Sequence, residues 1–136
     1  MKKIATAVLA LCALDVGLWA SIAPRSIFTS FPAPGHHWVD GLGPYNEHLV
    51  RDVGGLYLAL ALLSLWALVR PELTTSCGAA WIAFNAPHLA FHLRHFDVLS
   101  TVDKVGNVVE LGASLLLAIV LVLPTRRREV AACASP

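Results

Sequence analysis

Apolar residues gather along this chain in four long stretches, each interrupted by a few polar positions rather than alternating with them. The stretches cover about 4–23, 53–69, 78–96 and 105–123. A helix needs about 20 predominantly apolar residues to cross a hydrocarbon layer of about 30 Å, and each stretch comes close to that length. Thr6, Asp15 and Ser21 break the first, while the second is the most uniformly apolar. Asn85, His88, His92 and His95 break the third, and Asn107, Glu110 and Ser114 break the fourth. Pro24, Pro71 and Pro124 follow the first, second and fourth, where helices are expected to stop. The pattern predicts an all-α fold: an integral membrane bundle of four transmembrane helices, up-down-up-down, forming one domain over 1–136.

Two connections are short, at 70–77 and 97–104, but residues 24–52 form a long one between the first two helices. Loops beyond about 12–15 residues are usually functional or disordered. This one sets Phe28, Phe31, Trp38 and Tyr45 among Pro and Gly, so it is expected to be ordered and to lie over one end of the bundle. Composition fits the same picture. Of 136 residues, 57% are hydrophobic and only 14% charged, against about 25% charged in soluble domains. A formal charge of +1 shows no basic excess and excludes a nucleic-acid binder. Cys12, Cys77 and Cys133 make neither a disulfide framework nor a CxxC motif. The chain also lacks a Walker loop, a Gly-x-Ser-x-Gly elbow and a dinucleotide fingerprint.

Lys and Arg near the spans set the expected orientation. With the N-terminus inside, Lys2, Lys3, Arg70, Arg126, Arg127 and Arg128 lie on the inner side. Arg25, Arg51, Arg94 and Lys104 lie on the outer side among Asp40, Glu47, Asp52, Asp97 and Asp103. Both termini are therefore expected in the cytoplasm, in a cell membrane, with the 24–52 loop extracytoplasmic. The start of the chain superficially resembles a signal peptide, but Asp15 interrupts its apolar core and Pro24 follows the apparent cut site, so it reads as a retained helix.

This topology places all six histidines in the outer half. Asn85, His88, His92 and His95 share one face of the third helix, and Asn107, Glu110 and Ser114 share one face of the fourth. Asp15 falls near the middle of the first. Just before the second span, Glu47 with Arg51 and His48 with Asp52 form i,i+4 pairs if that segment is helical. A charge at a helix centre costs about 2.5–3.5 kcal/mol on insertion scales, so such groups normally face the bundle interior and mark a site.

Three readings of the layer follow. His88 and His92, at i,i+4, together with Glu110 and His48, could ligate zinc or iron, with Asp15, Glu47, Arg51, Asp52, Asn85 and His95 as ligands or orienting partners. Haem is the weaker version, because only the third helix carries clearly intramembrane histidines. The second reading is a pocket for a small lipophilic ligand such as a quinone or isoprenoid, lined by Trp19, Trp81, Phe84 and Phe91 with the same polar groups; a proton relay through Asp15, His88 and Glu110 belongs with it. The third makes the chain a non-catalytic accessory subunit of a membrane complex, its buried polar groups serving as interhelical struts. His36 and His37 read as solvated loop residues, Trp38 and Tyr45 as anchors at the membrane interface. No catalytic residue is assigned.

Two stretches carry a resemblance: Phe31-Pro32, His37-Trp38, Leu42-Gly43-Pro44-Tyr45-Asn46-Glu47-His48 and Arg51-Asp52-Val53-Gly54-Gly55, then Asn85-Ala86-Pro87-His88, Phe91-His92 and His95. With these the chain resembles small actinobacterial four-helix membrane proteins and, more distantly, the DoxX-like group, in which an Arg-Asp/Glu-x-Gly-Gly element opens the second helix. The resemblance implies a fold and a membrane location, and no activity.

Overall fold

Small residues decide where the helices of this protein meet. In the computed structural model, which describes residues 1–124, five α-helices follow one another: α1 (Lys2–Ile22), α2 (Pro24–Ser30), α3 (Glu47–Val69), α4 (Thr74–Arg94) and α5 (Thr101–Val122). Single 3-10 turns at Asp40–Leu42, Pro71–Leu73 and Phe96–Val98 complete the order, and no strand occurs among the described residues. Arg126, Arg127, Arg128 and Cys133, used above for orientation and thiol chemistry, lie outside the described residues.

The buried stripe of α1 is Ala5, Thr6, Leu9, Ala10, Ala13, Gly17 and Ala20, a groove shallow enough to admit α3. At the α1–α3 contact a Cβ on Gly54 would come within 2.8 Å of Ser21 Oγ, and one on Gly17 within 3.0 Å of Leu58. The α4–α5 contact uses the same device: a Cβ on Gly78 would meet Leu121 Cβ at 2.7 Å and the Ala118 carbonyl at 2.8 Å. The bundle is thus two close pairs, α1 with α3 and α4 with α5, joined by lighter α1–α5 and α3–α4 contacts. Leu9, Leu60, Trp81 and Leu121 fill the core between them. Within it the Trp81 indole donates to Ser64 Oγ (2.9 Å), which donates in turn to the Leu60 carbonyl (2.7 Å).

The ends are tied as their chemistry requires. Asn46 caps α3 by accepting from the Leu49 amide, Ser100 caps α5 by accepting from the Asp103 amide, and α3 gives out before Pro71. Lys2 Nζ donates to the Leu121 and Leu123 carbonyls at 2.8 and 2.6 Å, neutralising the carbonyl end of α5. The Arg51 guanidinium does the same for α1, donating to the Ser21 carbonyl.

Three helices, α1, α3 and α5, are long and apolar enough to cross a membrane. The fourth expected span, α4, does not meet that measure. At 21 residues α4 has the length, but Thr74, Thr75 and Ser76 at its start, with Asn85, His88, His92 and Arg94 beyond, dilute its apolar character. The second helix also begins earlier than its apolar run, at Glu47, and the long connection contains the seven-residue α2.

Gly78→Ala should cost about 1–3 kcal/mol by overpacking against backbone that cannot yield, read as a lowered unfolding temperature in detergent. Gly55→Ala, where nothing lies within 4 Å of the new Cβ, should leave that temperature unchanged or raise it slightly.

Candidate functional site

Three aromatic residues of the long connection, Phe28, Phe31 and Trp38, close a cavity. The loop returns over the end of the bundle through a knot centred on Asp103. That residue occupies the first turn of α5, and its carboxylate accepts from Ser100 Oγ (2.6 Å), from the Trp38 indole N–H (2.8 Å) and from His36 Nδ1 (2.6 Å). A carboxylate in the first turn also meets the positive end of the helix dipole. Trp38, only 6% exposed, lies flat enough on α5 that a Cβ on Gly106 would stand 2.6 Å from its ring. Phe31 packs edge-on to Trp38, and Trp19 on Phe31. A second tie sits further along the loop, where Arg25 covers the Tyr45 ring and Phe28 meets its edge. The Tyr45 phenol is held above its ordinary range, by partial desolvation first and then by Glu47, which accepts its hydrogen bond.

Beneath the loop lies a cavity of about 400 Å³, within the range of small-molecule sites. Its walls are mainly Val16, Ala20, Val50, Val53 and Leu111 from the helices, with Ile27, Phe28, Phe31, Trp38 and Leu42 from the loop side. Tyr57 and Phe91 add two more rings. Against this apolar lining stand a few polar groups: His88 and His92 from α4, Asn107 and Glu110 from α5, and Asn46 at the rim. Asn107 is 2% exposed and His92 6%, yet Asn107 Oδ1 and His92 Nδ1 have no hydrogen-bond partner. Buried polar atoms are normally satisfied, and each that is not costs about 1–3 kcal/mol. Both of these belong to residues that line the cavity.

The structure sorts the sequence candidates into three sets. His88, His92 and Glu110 line the cavity together; the His88 ring stacks on Phe84 and meets the edge of His92. Asn85 is buried behind them and donates to Ser114 Oγ at 3.0 Å, bracing α4 to α5. The remaining candidates lie elsewhere. His48 is exposed and paired with Asp52 (3.2 Å), and Glu47 accepts from Arg51 (2.9 Å). These two expected i,i+4 pairs form, but they occupy the outer face of α3. Leu49, Val50 and Val53 present the cavity face instead, because a helix offers a wall only one stripe of its surface. Arg51 serves the end of α1 rather than an acid in the site. His95 is exposed, stacked on Phe91, its Nδ1 donating to the Phe91 carbonyl.

Asp15 is a correction: expected inside the bundle, it is exposed on α1. Ala13 and Gly17 carry the packing stripe there, and at about 100° per residue Asp15 stands well round the helix from both. His36 and Trp38 are corrected too, being partners of Asp103 rather than a solvated residue and an interface anchor. Of the aromatic lining expected for a pocket, only Phe91 contributes; Trp81 and Phe84 pack in and against the core. Asp103 was missed as a site residue. Its signal was present, since Ser100-Thr101-Val102-Asp103 ahead of an apolar run reads as a helix cap. Among the described residues no three His, Cys, Asp or Glu side chains are arranged to hold a metal ion. Comparison with protein-family models, curated proteins and solved structures finds no match for the chain.

Asp103→Ala leaves the Trp38 and His36 donors without their acceptor. In a chain whose other tryptophans are replaced by Phe, Trp38 emission should move to the red. Proteolysis within 32–46 should quicken roughly tenfold, as expected for loss of charge-assisted hydrogen bonds.

Proposed function

We propose that this is a four-span membrane protein whose loop-covered cavity receives a small lipophilic ligand, held at its polar end by His88, His92, Asn107 and Glu110. The observation that carries the reading is the pair of unpartnered buried atoms, Asn107 Oδ1 and His92 Nδ1, on residues lining a largely apolar cavity of about 400 Å³. A strut makes its hydrogen bonds within the protein, as Asn85 does with Ser114. Groups that keep theirs open are suited to a ligand that completes them. In this reading α4 also spans, its polar face turned to the cavity and its neighbours rather than to lipid, and both termini lie in the cytoplasm with the loop outside. The DoxX-like resemblance agrees with such a layout. A metal centre at His88, His92 and Glu110 has no third close ligand among the described residues to support it.

Stability and binding should move in opposite directions if the open groups serve a ligand. Asn107→Leu removes an unsatisfied buried group and should stabilise the delipidated protein by about 1–3 kcal/mol. The same change should weaken capture of 1-dodecanol, counted by native mass spectrometry. Val53→Phe, which narrows the cavity, should weaken capture as well. Loss of stability in Asn107→Leu with capture unchanged would instead make the residue a strut, as in an accessory subunit.

The layout is tested with single cysteines in a chain otherwise free of them. Thr75→Cys, at the start of α4, and Ser100→Cys, in the connection that follows α4 at the start of α5, should react with a membrane-impermeant maleimide from opposite sides, Ser100→Cys from outside. Labelling of both from one side would overturn the fourth span.

A further inference from the structure

The wall of the cavity carries one acidic side chain, Glu110, and no Lys or Arg. Asp15, on α1, is a second carboxylate, outside that lining. Among the described residues neither is paired with a basic side chain; the ion pairs there are His36–Asp103, His37–Asp40, His48–Asp52, Arg51–Glu47 and Arg70–Glu72. A carboxylate set in an apolar wall without a counter-charge is costly, and a cation is the group that relieves it.

The other polar atoms agree. Asn107 Oδ1 is an acceptor without a donor, and His92 Nδ1 is an acceptor in one tautomer of the neutral ring. Asn107 and Glu110 stand three residues apart on one face of α5, and His92 faces the same cavity from α4. Several aromatic rings stand in the otherwise aliphatic wall, and ring faces attract ammonium groups. Calcium or magnesium would need about six or more oxygen ligands, which this lining does not offer, and among the described residues no three His, Cys, Asp or Glu side chains are arranged for a metal ion. An anionic head would meet Glu110 with no base to hold it.

Resting on the ligand-pocket reading above, we infer that the cavity selects a lipophilic ammonium, an amine with a single apolar arm. Its N–H donors go to Glu110, Asn107 and His92, and its arm lies among the rings of Phe28, Trp38 and Phe91. A primary ammonium has three donors, matching these three acceptors in number. Asp15, outside the cavity, adds negative potential and makes no contact of its own.

The test offers the full-length protein dodecylamine, 1-dodecanol or dodecanoate at equal concentration and counts bound molecules by native mass spectrometry. The amine should be captured at least about tenfold better than the other two, a difference typical of one charge-assisted contact. Glu110→Gln should bring amine capture down to the level of alcohol, abolishing the difference between the two probes. Asp15→Asn, which touches no cavity wall, should reduce the amine preference by a smaller factor. Equal or better capture of alcohol or dodecanoate by the unaltered chain would overturn the ammonium while leaving the pocket standing. So would an amine preference that survives Glu110→Gln. Failure of all three to bind the unaltered chain would overturn the pocket itself.

Discussion

The carboxylate of Asp103 is the point on which the outer end of this protein depends. It sits in the first turn of α5, where helix amides already favour a negative group, and it collects the hydroxyl of Ser100, the indole of Trp38 and the ring of His36. Two of those donors come from a loop more than sixty residues earlier in the chain. A loop with few backbone hydrogen bonds of its own gains a fixed position by being tied to a helix end, and the cost of ordering it is then met in one place. Gly106, one turn along α5, leaves room for the indole to lie down. Phe31 and Trp19 pack outward from that indole in sequence.

What the knot encloses follows from the bundle beneath. Close contacts at Gly17, Gly54 and Gly78 draw the helices into two tight pairs, and the lighter contacts between the pairs leave space at the loop end. The walls of that space are aliphatic and aromatic, so its few polar groups stand out chemically. Some, like Asn85, are satisfied within the protein. Asn107 and His92 are not, although both are more than nine-tenths buried. In the proposed reading, a ligand that supplies the missing partners regains what folding gave up at these two positions.

Helix existence and type were legible in the sequence because each span is a long apolar run bounded by proline or polar residues. The i,i+4 pairs before the second span were legible for the same local reason, and both form. Their involvement in the site was not, because a helix of known length still has an unknown rotation. Asp15 shows the difficulty: its depth along α1 follows from its number, but its outward direction follows from Ala13 and Gly17 being the residues that α3 and α5 approach. The converse held for Trp38 and His36. Their position in a Gly- and Pro-rich loop suggested solvent for His36 and a membrane interface for Trp38, and a partner 67 residues away from His36 cannot be read from any local pattern.

The sequence alone determined the all-α character, the bounds of the four long helices to within two turns, and the presence of an unusual number of ionisable groups among apolar residues. These are consequences of local composition and spacing, and neighbouring residues along a helix carry them. Only the tertiary structure decided which groups share a cavity. It separated His88, His92, Asn107 and Glu110, which face one another across α4 and α5, from His48, Asp52, Glu47 and Arg51, which spend their charges on one another at the surface. That choice belongs to the relative rotation of packed helices and to one carboxylate that pulls a distant loop over their ends, and neither is a property of any single stretch of chain.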